Sequence, residues 1–274
     1  MGGTTEHERV EAAAAYLRDH GVAPRALVIL GTGLGGLGER LADPVSVPYG
    51  EIPHFPRSTS PGHAGHLVCG RCGDTSTMVM EGRIHFYEGA SLADVTRPVR
   101  VAKALGARTL LISSAVGGMN PEHRLGDIVA IEDHINFMGD TPLRGPNDER
   151  LGPRFPDMSA PYDAALIEHA IAIAQEASFR LLRAVLVAVP GPQLETRAEY
   201  RFLNGIGADV VGMSVVPEVI VAVHAGLKVC AMSVVTDPCV PGAIEPVNVE
   251  QIIAVANEAA PRLEQLILGL LPHA

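Results

Sequence analysis

The stretch Ala26-Leu27-Val28-Ile29-Leu30-Gly31-Thr32-Gly33-Leu34-Gly35-Gly36-Leu37 decides how this chain is read. Leu27 to Leu30 form a short apolar run that predicts a buried strand. The glycines after it permit positive φ and let bare backbone N–H groups converge into a nest for an anion, and Thr32 adds a hydroxyl donor among them. A phosphate-sized guest is the functional expectation; a tight structural turn is the plain one. Gly31 to Gly36 also satisfy the dinucleotide fingerprint G-x-G-x-x-G, which requires a long helix and then a second strand ending in an acid. Only Leu37 to Ala42 can be helical before Asp43-Pro44, and Glu51 sits among Pro48, Pro53 and Pro56, so the dinucleotide context is missing.

The 274 residues are 47% hydrophobic and 19% charged, which fits a single α/β domain. A net charge of -10 argues against a general nucleic-acid or anionic-membrane surface, while local cations can still hold one phosphate. Met1 to Arg18 lacks a basic-then-apolar signal pattern and no stretch reaches the ~18 uninterrupted apolar residues of a membrane helix, so a soluble cytoplasmic protein is expected. Four scattered cysteines are too few for a disulfide framework. His63, His66, Cys69 and Cys72 have a superficial zinc-tetrad spacing, but Leu67 to Cys69 and Thr75 to Met80 look like a hairpin, and odd spacings along a strand point to opposite faces.

No repeat or linker marks a domain boundary. Glu8 to His20 predicts a helix, and Pro44 to Gly65, rich in Pro, Ser, Gly and His, predicts a long loop. The second hairpin arm is expected to continue to Tyr87, with Arg83, His85 and Tyr87 on one face and Ile84 and Phe86 on the other. A further strand at Thr109 to Ser113 runs into Ser114-Ala115-Val116-Gly117-Gly118, a second small-residue turn. Asp127 to Asp133, Ala184 to Val189, Asp209 to Met213 and Lys228 to Val235 predict more strands, and Thr141 to Ser159 another loop. Thr196 with Glu199 reads as a capping box, placing Glu195 just before a helix start. Ser214 precedes the helix opened by Pro217. The last helix begins at Val249, with a break or restart expected at Pro261. Polar residues therefore gather after strand ends, where open α/β sheets bind ligands.

The glycine stretch, Phe55-Pro56-Arg57-Ser58-Thr59 with Pro61-Gly62-His63-Ala64-Gly65, and Gly82-Arg83-Ile84-His85-Phe86-Tyr87-Glu88-Gly89 together resemble the trimeric purine nucleoside phosphorylases. So do Asp133 to Asn136, Pro142 to Asp148, Gly191 to Thr196 and Gly212 to Glu218, in the family's order over nearly the whole chain. The resemblance implies a mixed β-sheet flanked by helices, one domain over 1–274, and phosphate-dependent cleavage of purine (deoxy)ribonucleosides to free base and pentose 1-phosphate.

By the same resemblance, Thr32, His63, Arg83, His85, Ala115 and Ser214 fall on phosphate-binding positions, His63 on the loop closing over them. Tyr87 and Met213 fall beside the ribose, and Leu194, Glu195, Thr236 and Asp237 on the base. Glu195, Asp237 and His85 are the implied catalytic groups, and Phe155 is expected to reach into a neighbouring subunit of a homotrimer. No metal or organic cofactor is implied; inorganic phosphate is a co-substrate.

Three departures bear on the base. Asp237 stands where 6-oxopurine enzymes of the family have asparagine and methylthioadenosine phosphorylases have aspartate, whereas Glu195 matches the 6-oxopurine pattern. Leu194 replaces a phenylalanine that packs on the base, and Val249 a histidine placed by some relatives near the 5′-hydroxyl. Inosine and guanosine are the expected substrates with some adenosine turnover. A methylthioadenosine phosphorylase, or a nucleoside- or dinucleotide-binding protein without catalysis, are the alternatives.

Overall fold

The apolar run becomes β1 (Ala26–Ile29), buried at all four positions between β4 (Thr75–Glu81) and β5 (Thr109–Gly118), both parallel to it. A strand covered on both faces reads as continuous apolar sequence rather than as alternation. The computed structural model describes residues 3–31, 36–56, 65–240, 242, 244 and 246–274. Thr32 and His63 lie outside them.

The other strands are β2 (Ala42–Pro48), β3 (His66–Cys72), β6 (Ile128–Asn136), β7 (Leu181–Ala188), β8 (Val210–Gly212) and β9 (Lys228–Pro238). Among the described residues they form a nine-stranded mixed sheet in the order β2-β3-β4-β1-β5-β8-β7-β6-β9. Because β9 also pairs in parallel with β5, the strands from β5 to β9 close on themselves. Six α-helices flank this sheet: α1 (Glu6–Asp19), α2 (Leu92–Ala104), α3 (Ala164–Glu176), α4 (Arg197–Gly205), α5 (Val216–His224) and α6 (Val249–Leu270). Helices α1 and α5 pack on α2, while α3 packs on α6. Side chains of Thr5, Ser91, Asp163, Thr196 and Asn248 cap α1, α2, α3, α4 and α6, with reciprocal boxes at Thr5/Glu8 and, as read from the sequence, at Thr196/Glu199. Each cap contributes about 1 kcal/mol to its helix.

Four local expectations are corrected. The proline-rich segment after Pro44 is not all loop: β2 runs through Pro44 and Pro48, which an edge strand tolerates because one row of its N–H groups has no ladder partner. The hairpin arm stops at Glu81, since Gly82 turns the chain with φ of 101° and a short 3-10 turn follows at Phe86–Glu88. Strand β5 continues through Ser114 to Gly118 rather than turning there. Pro261 neither ends nor restarts α6, which runs unbroken for 22 residues, and α2 likewise carries Pro98 inside it. Of the zinc-tetrad candidates, His63 lies outside the described residues, and among those described no group of three or more candidate ligands converges.

β1 and β5 approach closely where β1 ends. Gly31 N donates to Ser113 Oγ at 3.2 Å, and that hydroxyl donates to Ile29 O at 3.3 Å. A Cβ on Gly31 would lie 2.8 Å from Ser114 Cα and 2.9 Å from Ser113 O, both backbone atoms. Gly31→Ala is expected to destabilise the fold by about 2 kcal/mol or more in urea unfolding, the scale of core overpacking. Gly205→Ala, with open space around its helical position, should be neutral or stabilising by up to about 1 kcal/mol.

Candidate active site

Strands β1, β5 and β9 run parallel to one another, and their C-terminal ends, together with the ends of β7 and β8, which run antiparallel to β5, the segment before α4 and the turn after β4, wall a single cavity of about 720 Å³ including its open mouth. Arg83, His85, Tyr87, Ala115, Met213 and Ser214 line it. Leu194, Glu195, Thr236 and Asp237 line the same cavity. Ten of the residues singled out from the sequence thus converge from five separate segments.

Arg83 is 2% exposed. One of its terminal nitrogens donates to Ser113 O, and Nη1 lies 3.5 Å from Glu218 Oε1, itself 2% exposed. Nη1 and Glu218 Oε2 have no hydrogen-bond partner among the described residues. Burial lowers the proton affinity of Arg83 and raises that of the Glu218 carboxyl, while each one's charge opposes the shift in the other. Beside this pair, His85 stacks on Tyr87 with ring centroids 4.7 Å apart and 10° between planes. Glu88 Oε1 accepts from His85 N at 2.7 Å and lies 3.3 Å from Nδ1, which sets the imidazole's orientation.

Ser214 stands at the start of α5. Val215 has φ of 77° and ψ of -59°, and Val216 N donates to Ser214 O at 3.0 Å, so the chain makes a tight γ-turn there. Positive φ is a genuine outlier for a β-branched residue. Its effect is to aim the N-terminus of a nine-residue helix toward the cavity wall, a favourable end for an anion.

On the opposite wall, Glu195 precedes the α4 cap. Burial raises its carboxyl above the usual carboxylate range, the nearby Asp237 charge adds to that, and a hydrogen bond from the Tyr200 side chain works against it. Thr236 Oγ1 donates to Asp237 Oδ1 at 2.9 Å, and Cys239 Sγ donates to Asp237 Oδ2 at 3.2 Å. Phe155 does not line the cavity; it is 87% exposed on the loop before α3. Val249 is 62% exposed and also outside, whereas Ile252, within the first turn of α6, is part of the lining.

Tyr200, Cys239 and Glu218 were missed by sequence reasoning. Only Glu218 had a signal: a carboxylate within the apolar helix Val216-Pro217-Glu218-Val219-Ile220 must be buried, and a buried charge needs a partner.

With this geometry in place, comparison with known proteins is informative. The phosphorylase superfamily profile matches residues 26–272. Purine nucleoside phosphorylase 1 of Bacillus subtilis is 44% identical over 264 residues, covering 96% of this chain and 97% of its own. The Rattus norvegicus purine nucleoside phosphorylase is 45% identical over 269 residues, covering 95% and 93%. Among solved structures, isoform 2 of the Schistosoma mansoni purine nucleoside phosphorylase, with cytosine and ribose-1-phosphate, superposes with a TM-score of 0.92 at 40% identity, covering 97% of this chain and 96% of that one. A Schistosoma mansoni purine nucleoside phosphorylase in complex with adenosine gives 0.91 at 38% identity, covering 96% of each. Fold, cavity and sequence agree, and the chain belongs to the purine nucleoside phosphorylase family of the phosphorylase superfamily.

Proposed function

We propose that this protein catalyses phosphorolysis of purine nucleosides, and that the cavity described above binds both substrates at once. The observation that carries this is the convergence of a buried guanidinium, an imidazole and a helix N-terminus on one side with two carboxylates on the other. Cations and backbone amides suit phosphate; carboxylates suit the N–H edges of a purine.

In this assignment Arg83, His85, Ser214 and the backbone at Ala115 hold phosphate, joined by Thr32 and His63 from outside the described residues. Tyr87 and Met213 flank the ribose. Phosphate held on one face of C1′ attacks as the bond to N9 stretches, and the bond's electron pair leaves with the base. Positioning supplies much of the acceleration, and the phosphate charge lies beside the developing oxocarbenium. Glu195, ionised, accepts the N1–H of a 6-oxopurine. Asp237, with Thr236 at its side, faces the N7 and C6 substituents. Leu194, 40% exposed at the cavity edge, covers the base less completely than an aromatic ring would.

The finer assignments belong to the same proposal: one functional unit over 1–274, a cytoplasmic enzyme of purine salvage, no metal or organic cofactor, no nucleic-acid partner, and a homotrimer. No helix among the described residues is long and apolar enough to cross a membrane. Phe155 supports the trimer, because an aromatic ring that is 87% exposed and away from its own cavity fits a neighbour's site.

Base release from inosine, guanosine, adenosine and methylthioadenosine, each with and without inorganic phosphate, tests the reading. Phosphate-dependent release from inosine or guanosine is expected; release from methylthioadenosine alone would move the protein to that sister activity, and release from none would leave only a binding site. A second expectation concerns pH. The ionised Glu195 is the form that accepts N1–H, and its carboxyl is raised, so kcat/KM for inosine should begin to fall on the acid side above the ordinary carboxylate range. Glu195→Gln should lower the plateau about tenfold to a hundredfold, the scale of a hydrogen bond to a charged group, and flatten that acid limb. An acid limb unchanged in this variant would remove Glu195 from the base.

A further inference from the structure

Strand β9 ends in Thr236, Asp237 and Pro238, and the next residue, Cys239, folds back beside the Asp237 side chain. Cys239 N donates to Gly118 O at 2.7 Å, fixing its backbone against β5, and Sγ then donates to Asp237 Oδ2 at 3.2 Å. The thiol is 3% exposed. Its space exists only because residue 117 is glycine: a Cβ there would lie 2.6 Å from Sγ and 3.1 Å from Asp237 Oδ2. The other carboxylate oxygen is engaged as well, by the Thr236 hydroxyl at 2.9 Å, whose oxygen also lies 3.3 Å from Val116 O. Tyr200 lines the cavity with Glu195 and Asp237 and belongs to the same apolar cluster as Cys239.

We propose that Cys239 is a specificity-determining positioning residue: its thiol, with the Thr236 hydroxyl, occupies both oxygens of Asp237 as acceptors, so that Asp237 meets the purine as an acceptor and favours a 6-amino group over a 6-oxo group. This rests on the phosphorolysis proposed above. A carboxylate that receives a donor on each oxygen keeps one further lone pair per oxygen and has no proton to give. Such a group complements an N–H of adenine at C6 and opposes the carbonyl of hypoxanthine. Without the thiol, Oδ2 has no side-chain donor to hold it, and the carboxylate is no longer fixed with its acceptors toward the C6 substituent, which weakens the preference for a 6-amino group. Cys239 does not line the cavity, so it acts through Asp237.

The experiment measures kcat/KM for adenosine and inosine, and inhibition constants for adenine and hypoxanthine, in wild type, Cys239→Ser, Cys239→Val, Cys239→Ala and Asp237→Asn. In Cys239→Val the adenosine-to-inosine ratio is expected to fall about tenfold, the effect of one hydrogen bond to a charged group, with the base inhibition constants moving in the same sense. Cys239→Ala, which adds no bulk, should agree with Cys239→Val. Cys239→Ser, which restores a donor, should keep the wild-type ratio, an outcome that loss of packing would not produce. Asp237→Asn sets the full extent of the change. Ratios equal to wild type in both Cys239→Val and Cys239→Ala would overturn the proposal, as would a Cys239→Ser ratio as low as theirs. A wild type that phosphorolyses inosine yet binds neither adenosine nor adenine would also overturn it while leaving phosphorolysis standing. Failure of every nucleoside to release base in wild type would instead remove the function on which it rests.

Discussion

Arg83 and Glu218 form the interaction on which the rest of the site depends. Both side chains are 2% exposed, and taking two such ions out of water costs several kcal/mol each even after relaxation. One carboxylate at 3.5 Å and one carbonyl offset part of that cost, and a buried terminal nitrogen of Arg83 remains without a hydrogen bond among the described residues. In the function proposed above, a phosphate dianion held by the same guanidinium supplies the acceptor that Nη1 lacks, which would link stability and function at one residue.

Glu218 reaches Arg83 because of the turn that precedes it. The positive φ at Val215 costs of the order of 1–3 kcal/mol and persists only because surrounding packing over-determines it. Val215 is 1% exposed and Val216 fully buried, and that burial holds the turn. The same few residues then do three things: Ser214 is brought to the cavity, the α5 N-terminus points there, and Glu218 in the first helical turn sits where a negative charge is favoured by the helix dipole. On the other side of the cavity, close approach has the same role. Gly31 lets β1 meet β5, and Gly117 leaves room for the Cys239 thiol beside Asp237.

The layout of the fold was legible where local chemistry and tertiary environment agree. The helix read over Glu8 to His20 is α1, and Thr196 with Glu199 marked the start of α4. Strand β5 was found by its apolar run but cut short at Ser113, because small polar residues beyond it are satisfied inside the sheet, Ser114 Oγ lying 2.7 Å from Ser233 Oγ. Prolines misled in two places, at β2 and α6, where an edge position or surrounding packing outweighed local propensity. The site residues were legible as a set through their resemblance to a family, and the reason first given for Arg83, His85 and Tyr87 sharing a face was wrong. They converge through the turn at Gly82 and the 3-10 segment after it, not through strand alternation. Cys239 and Tyr200 carried no signal, since their importance lies in contacts between segments distant in sequence.

The most direct measurement is the midpoint of thermal unfolding with and without inorganic phosphate at matched ionic strength, in wild type and in a protein carrying Arg83→Gln with Glu218→Gln. Neutralising both members avoids leaving one charge buried alone. A ligand that binds only the folded state stabilises it by about 2.7 kcal/mol at a hundred times its dissociation constant. Wild type should therefore rise in a saturable way with phosphate, and the double variant should not. An equal rise in both proteins, or none in wild type, would contradict a phosphate site built on the Arg83–Glu218 pair.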